Sequence, residues 1–244
     1  MDSPEDEAMS GVEAETLAER VYRQLKRAIR MGTFRPGQKM TNRAVASALN
    51  VSATPAREAL VRLVSEDVLE MIGPKTIIVP HLSPSRYQEI ATIRMALEGI
   101  AAEAAAAHVT DRFIDDLEMV HLAFVSARSN RDYVEALQMN EQFHFMIYRR
   151  SQMPRLVSII ENLWAASGPS FRLLYPKFAD HRDGAQQHGD AIAGLRARDP
   201  QRVRASIEQD IRIGTSKLLA ILGRQAAGSP NVADNTDTEL APRG

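Results

Sequence analysis

The chain has 244 residues, 44% hydrophobic and 25% charged, the proportions of an ordinary globular protein with room for two compact domains. It contains no cysteine, which excludes disulfides, thiolate metal sites and a thiol nucleophile. The net charge of −1 conceals an asymmetry: residues 1–15 hold six acids and no base, residues 16–80 hold eleven Lys/Arg against five Asp/Glu, and the rest is near neutral.

The N-terminus, MDSPEDEAMSG, lacks the basic and apolar blocks of a signal peptide. No apolar run approaches a membrane span, so a cytoplasmic protein without a membrane partner is expected. The basic block suggests a polyanion-binding domain on a neutral body, although a solvated basic face has the same composition. Residues 1–14 are acidic and aperiodic and read as disordered.

A first helix is expected from Thr16 to Met31. Leu17, Val21, Leu25 and Ile29 form its apolar stripe, and Arg20, Arg23, Lys26, Arg27 and Arg30 cover the remaining surface. Gly32 stops it, and Phe34-Arg35-Pro36-Gly37 reads as a turn. Thr41 caps a helix through Leu49, with Ala44, Val45, Ala48 and Leu49 inward and Asn50 left-handed at its end. Thr54-Pro55 then reads as a cap and helix start, with Ala59, Leu60, Leu63 and Val64 buried. Two short helices across a tight turn are the layout of a helix-turn-helix. The extended runs Val68–Ile72 and Ile77–Val79, joined by Gly73-Pro74-Lys75-Thr76, read as a wing with a basic tip.

After a junction at His81-Leu82-Ser83-Pro84 the chain turns Ala-, Leu- and Ile-rich. Six helical segments are expected, at about 84–107, 110–128, 131–151, 153–175, 181–198 and 200–223. Their short connections favour an antiparallel bundle. The fold class is therefore mainly α: a winged helix-turn-helix domain over 15–80, an all-helical domain over 81–223 and a disordered tail over 224–244.

Several polar residues fall on the bundle's apolar faces. Asn140 and His144 share a stripe with Ala136, Leu137 and Ile147, His188 one with Ile192 and Leu195, and Asp210 one with Val203 and Ile207. Each could be a satisfied core polar group. Four on inward faces of three helices also suit a common metal site, because buried polar groups are costly unless used. His108, His121 and His181 lie near segment ends or polar faces and have no expected site role.

The stretch TNRAVASALNVSATPAREALVRLVSEDVLEMI resembles the winged helix of the GntR superfamily of bacterial transcription regulators. The helical remainder, with RMALEGIAAEAAA and later MNEQFHFMI, resembles the FCD effector domain of the FadR-type subfamily. The resemblance spans roughly residues 15–223. It implies a homodimer that reads a near-palindromic operator in double-stranded DNA and responds to a small molecule in the helical domain. Arg43 and Arg57 match the arginines nearest the bases and Ser52 and Thr54 the small hydroxyl positions, with Lys75 at the wing; Ala53 and Thr76 depart from the usual Arg and Gly. Asn140, His144 and His188 match three ligands of a divalent metal, Zn, Ni or Mn, and Asp210 stands where a third histidine is usual. Arg94 matches an inward arginine that meets an acidic effector, beside Trp164, Arg172 and Tyr175; a pair with Glu98 and an ordinary core tryptophan are the plainer readings. No organic cofactor is implied.

Three functions are thus in play: a metabolite-responsive repressor, a metalloenzyme built on the Asn/His/His/Asp cluster, and an effector-independent DNA-binding protein. No catalytic residue is assigned, because no nucleophile elbow or phosphate loop accompanies the cluster.

Overall fold

A computed structural model describes residues 15–73, 76–175 and 183–227. The expectations for residues 1–14, for the tail beyond 227, for Lys75 and for His181 lie outside these. Helix α1 (Leu17–Arg30) starts at Thr16, whose hydroxyl accepts the Glu19 N–H, and α2 (Asn42–Leu49) starts at Thr41, which accepts from Ala44 N–H. Asn50 closes α2 at φ 51°, the left-handed conformation that asparagine tolerates. The inward residues of α2 differ from expectation: Val45 and Ala46 are buried and Leu49 half-buried, while Ala44 and Ala48 face out.

Helix α3 (Ala53–Ser65) begins two residues earlier than its proline suggests. Ser52 is the cap, in extended conformation, and Thr54 is already helical. Proline's missing N–H costs nothing in a first turn, where amide donors have no intrahelical acceptor. Val68 and Leu69 also differ. Both amides bond to the Leu63 carbonyl at 3.0 and 3.1 Å, which holds them in the helix-ending turn and delays the strand. The wing is β2 (Glu70–Gly73) against β3 (Thr76–Ile78). A two-residue strand the sequence does not announce, β1 (Lys39–Met40), pairs on the other side of β3, giving an antiparallel order β1-β3-β2.

The bundle comprises α4 (Pro84–Ala105), α5 (Asp111–Ser129), α6 (Tyr133–Arg149), α7 (Pro154–Phe171), α8 (Asp183–Arg196) and α9 (Pro200–Ala227), with one 3-10 turn at Arg172–Leu174. Ser83 caps α4 through the Arg86 N–H, and Asp199 receives the Arg202 N–H at the start of α9. Helix α9 runs four residues past the expected end. It packs along α4 and α8, and α5 lies against α6 and α8.

The two halves are not merely linked. The winged-helix core, built on Leu25, Ile29, Leu60 and Leu63, takes in Ala165 from α7. Lys26 and Arg30, expected on the solvent face of α1, are buried. Arg30 pairs with Glu141 at 2.6 Å and Glu161 at 3.0 Å and lies 4.3 Å over the Phe145 ring; Lys26 bridges Glu66 to Asn162. A helix face that is polar in sequence thus becomes an internal seam, because carboxylates on α6 and α7 meet Arg30 and an α7 amide oxygen, with Glu66, meets Lys26.

Candidate DNA-reading face and effector pocket

On α3, Thr54, Arg57, Glu58 and Val61 are all exposed, at the spacing of one helical stripe, and Ser52 stands exposed at its N-terminus. The hydroxyl of Ser52 makes no cap bond, unlike that of Thr41, and so is available to an outside partner. Arg43 is exposed in the first turn of α2, which packs on α3. Hydroxyls and free amides at a helix start suit phosphate, and an arginine fork suits phosphate or guanine. Val61, half-exposed, is a residue that sequence reasoning missed. An outward valine on this stripe suits a thymine methyl group, but its outward orientation is set by the docking of Leu60 and Leu63.

In the bundle, a cavity of about 120 Å³ is lined by Arg94, Trp164 and Tyr175 as well as Asn140, His144 and Asp210. Arg172 does not line it. Its guanidinium instead reaches the carbonyls of Gly32 and Thr33, at 3.0 and 3.2 Å, just past the end of α1. A cation there satisfies terminal carbonyls and the helix dipole, which is why a residue expected in the pocket sits at the domain junction. Arg128 and Lys217 line the cavity and were not anticipated; their polar-face positions carry no sequence signal for it. Three cations therefore face this space, and among the described lining residues Asp210 is the acid.

The Arg94–Glu98 pair is present as spacing suggests, with bonds of 2.6 and 3.4 Å, and both side chains are buried. Burial alone would lower the Arg94 pKa, but Glu98 raises it, so the guanidinium stays charged. Arg94 also lies 4.4 Å over the Trp164 ring. Tyr148 donates to Glu98 at 2.5 Å, and its hydroxyl lies 2.9 Å from His144 Nδ1. His144 Nε2 is 3.2 Å from Asp210 Oδ2. A buried chain thus runs from Arg94 to Asp210 and fixes the His144 ring at both nitrogens.

His144, His188 and Asp210 each bring one ligand-capable atom within 4.8 Å of the others. His188 is fully buried and stacked on Phe143, with ring centroids 3.8 Å apart and planes 10° apart. Neither of its nitrogens has a hydrogen-bond partner. Burial holds its pKa well below the ordinary histidine value, so the ring is neutral and able to coordinate. Burial would raise the Asp210 pKa, but the hydrogen bond and charge of His144 lower it, keeping the carboxylate ionised. His121, given no role from sequence, lies with its ring 5.7 Å from that of His188.

The comparisons with known proteins agree with this architecture. Residues 17–79 match the family model described as bacterial regulatory proteins, gntR family, and residues 89–212 match the FCD domain. The HTH-type transcriptional regulator McbR of Escherichia coli K12 is 31% identical over 188 residues, 76% of this chain and 85% of that protein. The HTH-type transcriptional repressor RspR of the same organism is 25% identical over 199 residues, 80% and 85% of the two chains. The solved structure of E. coli McbR/YncC superposes with a TM-score of 0.77 at 30% identity, covering 86% of this chain and 99% of that one. A GntR regulator from Rhodococcus sp. RHA1 shares the fold with a TM-score of 0.67 at 17% identity. These relatives are transcriptional regulators, which removes the metalloenzyme reading of the histidine cluster. A winged helix-turn-helix carried on an FCD bundle, over both matched segments, makes this chain a transcriptional regulator that belongs to the gntR family.

Proposed function

We propose that the chain is a repressor whose grip on a near-palindromic operator is released by a small carboxylate-bearing metabolite bound in the bundle cavity. The observation that carries this reading is the cavity wall. Arg94, Arg128 and Lys217 supply positive charge, and the buried Trp164 Nε1 is a donor without a partner that a ligand oxygen would satisfy. A purpose-built polar interior also favours this over an effector-independent DNA-binding protein.

A divalent cation, Zn, Ni or Mn, completes the proposal. His144, His188 and Asp210 would hold it, with Asn140 beside them on the cavity wall. The donor set fits, since a neutral, fully buried His188 without a hydrogen-bond partner offers a ring nitrogen that a metal would take. When bound, the cation supplies an added positive charge for the effector's carboxylate.

The pocket reaches the DNA-reading domain through α7. Trp164 lines the cavity, and the next residue, Ala165, is packed into the winged-helix core. An effector that prefers one position of α7 therefore shifts the population of domain arrangements. In a homodimer, mismatch at one half-site removes many phosphate contacts and so most of the affinity. The dimer is part of the proposal. Ile93 and Ile100 on α4 and Ile159 on α7, 40–50% exposed on two helices that pack together, suit a face covered by a second copy. The absence, among the described residues, of a helix able to cross a membrane agrees with a cytoplasmic location.

The experiment is a mobility-shift titration on the intergenic DNA beside the gene, repeated with a panel of small carboxylic acids. Release by one of them, lost in Arg94→Met, supports the reading. If no acid changes the affinity for a discrete site, the effector assignment fails.

A further inference from the structure

A second cationic site lies at the domain junction, lined by residues other than those of the bundle cavity. Arg35, His81, Arg172 and Arg224 line one open groove of about 1120 Å³, and among its described lining residues there is no acid. The four come from four places: the turn after α1, the inter-domain junction, the end of α7 and the end of α9. Some arginines elsewhere in the chain, such as Arg23, Arg30, Arg62 and Arg94, pair with carboxylates. Among the described residues, neither Arg35 nor Arg224 has such a partner.

Two of these four side chains are held in place by the fold. Arg172 is pinned by the Gly32 and Thr33 carbonyls. His81 is packed against the turn at Gly37, where φ is 80° and a β-carbon would fall 2.4 Å from the ring Nε2. Burial and then the charge of Arg35 hold the Arg172 pKa below the ordinary arginine value, so the two guanidiniums repel without a counter-charge between them. Leu173 and Ile221 give the same groove an apolar floor.

We infer that this groove binds a small phosphate-bearing metabolite, with its phosphate oxygens on Arg35, Arg172 and Arg224 and its apolar body against Leu173 and Ile221. Arginine forks match phosphate geometry, and an anion between like charges removes their repulsion. Arg35 belongs to the DNA-binding half, and Arg172 and Arg224 to the bundle. The bound phosphate therefore ties the two domains into one arrangement and is a regulatory input separate from the carboxylate cavity. The inference does not rest on the effector proposed for that cavity.

The test uses the full chain stripped of metal with EDTA, titrated with sodium pyrophosphate by calorimetry against sodium chloride of matched ionic strength. Saturable binding of one pyrophosphate per chain is expected. Its dissociation constant should rise at least tenfold in Arg35→Gln and again in Arg224→Gln, both exposed positions whose variants should keep the parent circular dichroism. Arg57→Ala, on the DNA-reading face, should bind as the parent does. No saturable binding at matched ionic strength, or binding lost in Arg57→Ala and kept in the two groove variants, overturns the assignment.

Discussion

The carbonyl oxygen of Arg30 lies 2.4 Å from where a β-carbon on Gly168 would stand, and the Gly168 carbonyl lies 3.1 Å from the corresponding point on Gly32. Helices α1 and α7 touch backbone to backbone, across the boundary between the DNA-reading half and the bundle. Gly168→Ala must therefore push the domains apart. A destabilisation of about 1–3 kcal/mol is expected, the usual cost of overpacking. Urea unfolding followed by the fluorescence of Trp164, the chain's single tryptophan, would register it. A variant as stable as the parent would mean that the contact yields freely.

Arg30 and Glu141 are each about 7% exposed, so removing one partner strands a buried charge. Arg30→Ala should cost about 3–5 kcal/mol, whereas the double variant Arg30→Met/Glu141→Leu should recover most of it. A double-mutant cycle with no coupling would show that the pair does not hold the seam.

The two helix starts of the reading motif should behave differently. Thr41 makes a cap bond, and Thr41→Ala should lose about 1 kcal/mol of stability. Ser52 makes none, so Ser52→Ala should leave stability unchanged while weakening DNA binding. Arg57→Ala should keep the fold and lose about 1–3 kcal/mol of affinity per half-site. Undiminished operator affinity in Arg57→Ala would remove α3 from the recognition role.

The proposed metal site can be tested by uptake. His188→Ala and Asp210→Ala should each abolish stoichiometric Zn, Ni or Mn in protein dialysed against the metal and measured by plasma emission. Asn140→Ala should only weaken it, since an amide oxygen is the poorest donor of the set. Full occupancy in His188→Ala would defeat the site.

Acid should loosen the α1–α3 contact. Burial would raise the Glu66 pKa, but the hydrogen bonds from Lys26 and Tyr22, the Lys26 charge and the Arg62 bond lower it. A folded value below the unfolded one gives stability that is present above the unfolded carboxylate range and lost as pH falls through the folded value. Glu66→Gln should therefore be less stable than the parent at pH 7 and should lose less between pH 6 and 3. Parallel pH profiles for the two proteins would remove Glu66 from the acid response.

Local patterns carried much of this protein in its sequence. Thr41, Asn50, Ser83 and Asp199 mark helix ends because caps and left-handed residues are chosen by neighbouring amides. The inward stripes of α6, α8 and α9 placed His144, His188 and Asp210 on buried faces, because helical period is a one-dimensional signal. Strand β1 was invisible, since two residues show no period and exist only as a partner for β3. Arg172 was misplaced, because its destination is a pair of carbonyls about 140 residues away in the chain.

The sequence by itself determined the family, the helix-turn-helix and the types of side chain available to a metal and an anion. These depend on spacing along the chain. Only the tertiary structure decided that Lys26 and Arg30 are buried in a seam, that α7 joins the cavity wall to the winged-helix core, and that three arginines and His81 meet at the junction without an acid among the described lining residues. Such juxtapositions depend on which helix faces meet, and on the close backbone approach that Gly32 and Gly168 permit because they lack β-carbons.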